Sequence, residues 1–80
     1  MNQPQPAAVD IDGAKLRELR KLRGDTLAEF AASCEISLTY LSQIERGDRP
    51  RVSPPVYSRI CSTLRLTGPR QRRTLLKVAA

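Results

Sequence analysis

Between Ser37 and Arg51 the chain gathers side chains suited to recognising a partner by hydrogen bonding and charge. On a helix running through Leu38–Arg46, Leu41 and Ile44 fall on one side, and Leu38, Thr39, Ser42, Gln43 and Arg46 fall on the other. A glutamine amide presents donor and acceptor together, a hydroxyl presents either, and arginine adds permanent positive charge. The residue types of catalysis are not assembled anywhere. The chain has no histidine, no nucleophile–base pairing, no glycine-rich phosphate loop and no metal-ligand cluster, which argues against an enzyme and calls for no cofactor. Zinc is excluded by the lack of histidine and of a close cysteine pair. Cys34 and Cys61 fall on apolar faces of predicted helices and read as buried small hydrophobes rather than as a redox pair.

Two short helices must position the outer face. Thr26 followed by Glu29 three residues later is a capping-box pattern, in which hydroxyl and carboxylate each satisfy one of the free amides at a helix start. Leu27, Phe30, Ala31 and Cys34 then recur at helical spacing and predict a helix from about Thr26 to Cys34. Glu35 and Ile36 make a turn, Ser37 caps a second helix, and Gly47 ends it. Helix, tight turn and helix with a polar outer face is the helix-turn-helix pattern, whose second helix lies in the major groove of DNA.

The flanking segments complete the bundle. GAKLRELRKLR, Gly13–Arg23, is predicted as a first helix with Leu16, Leu19 and Leu22 on one apolar face, stopped by Gly24. Ser53 caps a fourth helix whose first turn accommodates Pro54 and Pro55, and Val56, Ile60 and Leu64 align along it beside Tyr57 and Cys61. Leu66 packs after it, and Thr67, Gly68 and Pro69 break the chain. RQRRTLLKVAA, Arg70–Ala80, is predicted as a fifth helix carrying Leu75, Leu76 and Val78, and Met1–Asp12 as a flexible tail with little apolar content.

The segment YLSQIERG followed by DRPR closely resembles the signature of XRE-type, lambda-repressor-like DNA-binding domains, and the resemblance extends over about Leu16–Leu66. It implies an all-α, compact five-helix lambda-repressor-like domain occupying residues 13–80, with its helix-turn-helix at 26–47. By alignment to that family, Leu38, Thr39, Ser42 and Gln43 face bases. Gln43 can pair with adenine through two hydrogen bonds, Thr39 can bond several bases or lay its methyl on thymine, and Leu38 can contact a thymine methyl. Ser37, Tyr40 and Arg46 match phosphate-facing positions, and so do Arg49 and Arg51 in the following loop. The family pattern also pairs a late first-helix arginine with a glutamate of the recognition helix, here Arg20 and Glu45, as a structural ion pair. The chain departs from the pattern twice. Leu27 stands where many members place a phosphate-contacting glutamine, and Glu35 stands where many place a turn glycine. Either the turn avoids positive φ or it stores about 1–2 kcal/mol of strain.

Charge agrees with a DNA partner. Residues 1–45 hold five basic and seven acidic side chains, whereas residues 46–80 hold nine basic and only Asp48, for a net charge of +6 overall. A domain of 80 residues touches few bases, so specificity implies a homodimer on a pseudo-palindrome with half-sites about 34 Å apart. The leucines after Arg70 are candidates for that dimer contact or for covering the first helix. A transcriptional regulator, most simply a repressor, is the expected function. The alternative is an antitoxin or another module that uses the same fold to bind a partner protein. With no signal-like N-terminus and no apolar run of membrane-spanning length, a cytoplasmic protein away from the membrane is expected.

Overall fold

A computed structural model describes residues 8–77 of the chain. Its elements, in order, are β1 (Val9–Asp10), α1 (Gly13–Arg23), α2 (Leu27–Cys34), α3 (Leu38–Arg46), β2 (Arg51–Val52), α4 (Pro54–Thr63) and α5 (Pro69–Arg73). Side chains define the helix starts. The Asp12 carboxylate accepts from the Lys15 amide at 3.1 Å, Thr26 and Glu29 make both halves of the capping box, and Ser37 and Ser53 accept from the amides three residues on. Gly24 and Gly47 close α1 and α3 in the left-handed conformation, at φ 84° and 83°.

The core lies where the helices converge. Leu16 from α1, Phe30, Ala31 and Cys34 from α2, Leu41 and Ile44 from α3, and Ile60 and Cys61 from α4 are buried together with Ile11, Val52 and Leu75. Tyr57 ties α4 to α5 by donating its hydroxyl to the carbonyl of Arg72. The Arg59 guanidinium donates to the Cys34 carbonyl at 3.0 Å and so satisfies a free carbonyl at the end of α2.

Three expectations change. Leu22 is 77% exposed and does not share the core face of α1, which is Gly13, Leu16 and Arg20. An interval of six residues carries a side chain about 120° off the stripe, whereas Arg20 at i+4 returns to it. The segment expected as a tail to Asp12 is ordered from Val9. β1 pairs antiparallel with β2, Val9 opposite Val52 and Asp10 opposite Arg51. Ile11 donates to the Pro50 carbonyl at 2.8 Å, Asp12 donates to that of Leu75 at 2.8 Å, and Ile11 is 1% exposed. The rest of the expected tail, residues 1–7, lies outside the described residues. Finally, α5 stops at Arg73, and Leu76 makes an antiparallel bridge with Ile11 instead of continuing the helix. Leu75 is buried in the core, and Val78 lies outside the described residues.

Candidate nucleic-acid interface

The orientation of α3 is fixed by an ion pair to α1. Arg20 of α1 donates from Nε to Glu45 Oε2 at 2.7 Å and from its terminal nitrogen Nη2 to Oε1 at 3.0 Å, and the two side chains are only 8% and 5% exposed. A third bond runs from Arg20 Nη1 to the Asp25 carbonyl at 2.9 Å, so the guanidinium also ties down the chain just before α2. The hydrogen bond to Glu45 outweighs burial and holds the guanidinium above its ordinary pKa. At the other end of α1, a Cβ on Gly13 would stand 2.2 Å from the Ile44 carbonyl oxygen and 2.8 Å from that of Glu45. Glycine is what allows α1 to start directly against the last turn of α3. The sequence offered one signal for this, a glycine at a helix start where alanine would otherwise be better.

The turn between α2 and α3 adopts the strained alternative. Glu35 sits at φ 59° and ψ 40°, and its amide donates back to Ala32 at 3.1 Å. That left-handed conformation costs a non-glycine residue about 1–2 kcal/mol, and it aims Ser37 to cap α3.

With α3 held this way, its outward face carries the side chains singled out in the sequence. At about 100° per residue, Thr39 and Arg46 project furthest from the Leu41 and Ile44 face. Leu38, Ser42 and Glu45 lie on one flank, and Tyr40 and Gln43 on the other. Ser37, Leu38, Thr39 and Arg46 are exposed, whereas Tyr40, Ser42 and Gln43 are half-buried. Leu38 is 50% exposed, and only Leu22 joins it as a large exposed apolar side chain among the described residues.

The loop after α3 folds back on the Tyr40 flank. The Gln43 carbonyl accepts from the amides of Asp48 and Arg49 at 3.0 and 3.2 Å, and the Arg49 guanidinium sits 5.6 Å from the centre of the Tyr40 ring. Arg46 is 3.4 Å from Asp48, and Arg51 is 3.2 Å from Asp10. All four of these side chains are at least half exposed. Such pairs are worth about 0–1 kcal/mol, so either arginine can exchange its carboxylate for another anion at little cost. Asp10 as the neighbour of Arg51 could not be read from the sequence, because it depends on the β1–β2 pairing.

On the opposite flank, a groove of about 410 Å³ lies between α1, the start of α2 and α3, lined by Arg17, Arg20, Leu27, Ser42, Glu45 and Arg46. Cys34 and Cys61 are free and buried in the core. Burial pushes both thiols above their ordinary pKa, which keeps them protonated and unreactive at neutral pH.

A family model described as a helix-turn-helix domain matches residues 13–75. The transcriptional regulator ClgR of Mycobacterium tuberculosis is 44% identical over 57 residues, which cover 71% of this chain and 50% of ClgR. The uncharacterized HTH-type transcriptional regulator YazB of Bacillus subtilis is 45% identical over 40 residues, 50% of this chain and 58% of YazB. The chain therefore spans about half the length of these relatives. Among the described residues, no helix is long and apolar enough to cross a membrane.

Proposed function

We propose, for a chain that belongs to the helix-turn-helix domain family, that it binds double-stranded DNA in a sequence-specific manner and regulates transcription. In this reading α3 enters the major groove. Leu38, Thr39, Ser42 and Gln43 meet base edges, while Ser37, Tyr40, Arg46, Arg49 and Arg51 meet phosphates. The observation that carries it is the combination of a helix locked to α1 by Arg20 and Glu45 with an exposed outer face bearing Leu38 and Thr39. A leucine left in water at the start of that helix is accounted for by an apolar target such as a thymine methyl. The names of the relatives, both transcriptional regulators, favour the same role.

The simplest mechanism is repression by occupying a promoter, with two copies on a pseudo-palindromic site whose half-sites are about one helical turn apart. The test is selection of bound duplexes from a random pool, repeated at two salt concentrations. The reading expects a recurrent motif with two-fold symmetry and steeply weaker recovery at the higher salt. Recovery of no motif at either concentration would refute sequence-specific binding, and a motif without symmetry would refute the dimer.

A further inference from the structure

We infer that Arg17 is a further phosphate-contacting residue and that the groove it lines receives the DNA strand opposite the one met by Arg49. The inference rests on the proposed placement of α3 in the major groove and goes beyond it in assigning the second wall. A major groove about 12 Å wide is nearly filled by a helix about 10–12 Å across, so a helix seated in it has a phosphate strand on each side. The loop contacts gather on one flank, where Arg49 lies over Tyr40 and the loop amides close on Gln43. The other flank, that of Leu38 and Ser42, has no loop of its own.

What stands there is the groove between α1, α2 and α3. It holds three guanidinium groups against one carboxylate. Arg20 is consumed by Glu45 in a buried two-bond pair, and Arg46 leans on Asp48. Arg17 is exposed and has no acidic partner among the described residues. An anion entering beside Ser42 therefore meets Arg17, whose donors are free, next to Arg46, whose exposed pair with Asp48 is readily exchanged, in a setting whose carboxylate is already neutralised by Arg20. Leu27, which brings no polar group at the start of α2, lines the same groove, so a cation reaching across from α1 is the available partner for a phosphate there.

The test is a salt titration of binding to a mixed-sequence duplex, followed by fluorescence anisotropy, for the parent, Arg17→Ala, Arg17→Lys and Lys21→Ala. Lys21 is exposed on the same helix and does not line the groove, so it controls for loss of one charge. Arg17→Ala should flatten the slope of log K against log salt by about 0.9 and weaken binding about five- to tenfold near 0.1 M salt. Arg17→Lys should keep the parental slope, Lys21→Ala should leave it unchanged, and all four should melt together. If the parent binds with a steep slope and Arg17→Ala keeps that slope, or if Lys21→Ala flattens it equally, the assignment of Arg17 is overturned while the DNA reading stands. If the parent binds no duplex at low salt, both fall.

Discussion

Replacing Glu45 by alanine removes one half of the ion pair that orients α3 and leaves the Arg20 guanidinium 8% exposed with its main partner gone. Two hydrogen bonds, at 2.7 and 3.0 Å, disappear, and only the bond to the Asp25 carbonyl at 2.9 Å remains. Breaking a buried pair in this way costs about 3–5 kcal/mol, because it strands a largely desolvated charge that cannot discharge. Domains of this size are stable by about 5–15 kcal/mol in total, so the loss is a large share of what holds the fold together. At about 4–8 °C per kcal/mol for a domain of 60–100 residues, the melting temperature should fall by about 12 °C or more. The double variant Arg20→Met/Glu45→Leu should recover most of that loss, since an apolar pair of similar volume leaves no orphaned charge. Circular dichroism melts and urea titrations of the parent, the single variant and the double variant would measure this. A single-variant loss below about 1 kcal/mol, the value of a solvated surface pair, would refute the claim that this pair is a buried structural lock.

Three further outcomes follow from backbone and burial. Gly13→Ala places a methyl 2.2 Å from a backbone oxygen of α3 and should lower stability by about 1–3 kcal/mol in a urea titration; an unchanged midpoint would show that α1 does not press on α3. Glu35→Gly relieves the left-handed residue at φ 59°, and after the entropy lost by glycine it should stabilise the domain by about 0.5–1 kcal/mol, read as a higher melting temperature. Burial raises the Tyr57 hydroxyl from 10.0 to about 12, so the folded state holds its proton more tightly than the unfolded chain does. The stabilisation from that group is complete below about pH 10 and lost as pH rises toward about 12, with both cysteine thiols adding to the decline in the same direction. Urea midpoints across that alkaline window should fall, and less so in Tyr57→Phe.

The helical part of the fold was legible because its signals are local. The Thr26 and Glu29 box, the Ser37 and Ser53 caps and the Gly24 and Gly47 stops each act within a few residues, and apolar spacing located the core faces of α2 and α3. What was not legible depends on partners far along the chain. β1 and β2 are two residues each, too short to show any alternation, and each is defined by the other. Ile11 lies among acidic residues and is buried only because Pro50 and the segment around Leu75 close on it from either side. The same bridge ends the last helix at Arg73, where the run of basic and leucine residues suggested continuation. Leu22 shows how a leucine repeat can mislead when the true core position, four residues after Leu16, is an arginine that satisfies its charge internally. The polar positions of α3 were visible as a pattern. The flanking groove was not, because it exists only where α1, α2 and α3 meet.

The central claim is that the outer face of α3 reads base edges while the neighbouring cations hold the backbone, and its most direct test compares Gln43→Ala with Arg49→Ala on a selected duplex and on a scrambled one. Gln43→Ala should weaken the selected duplex by about 1–3 kcal/mol, relax preference at one base pair and leave the scrambled duplex unaffected. Arg49→Ala should weaken both duplexes about equally and flatten the salt slope. Equal losses on both duplexes from both variants would contradict the account.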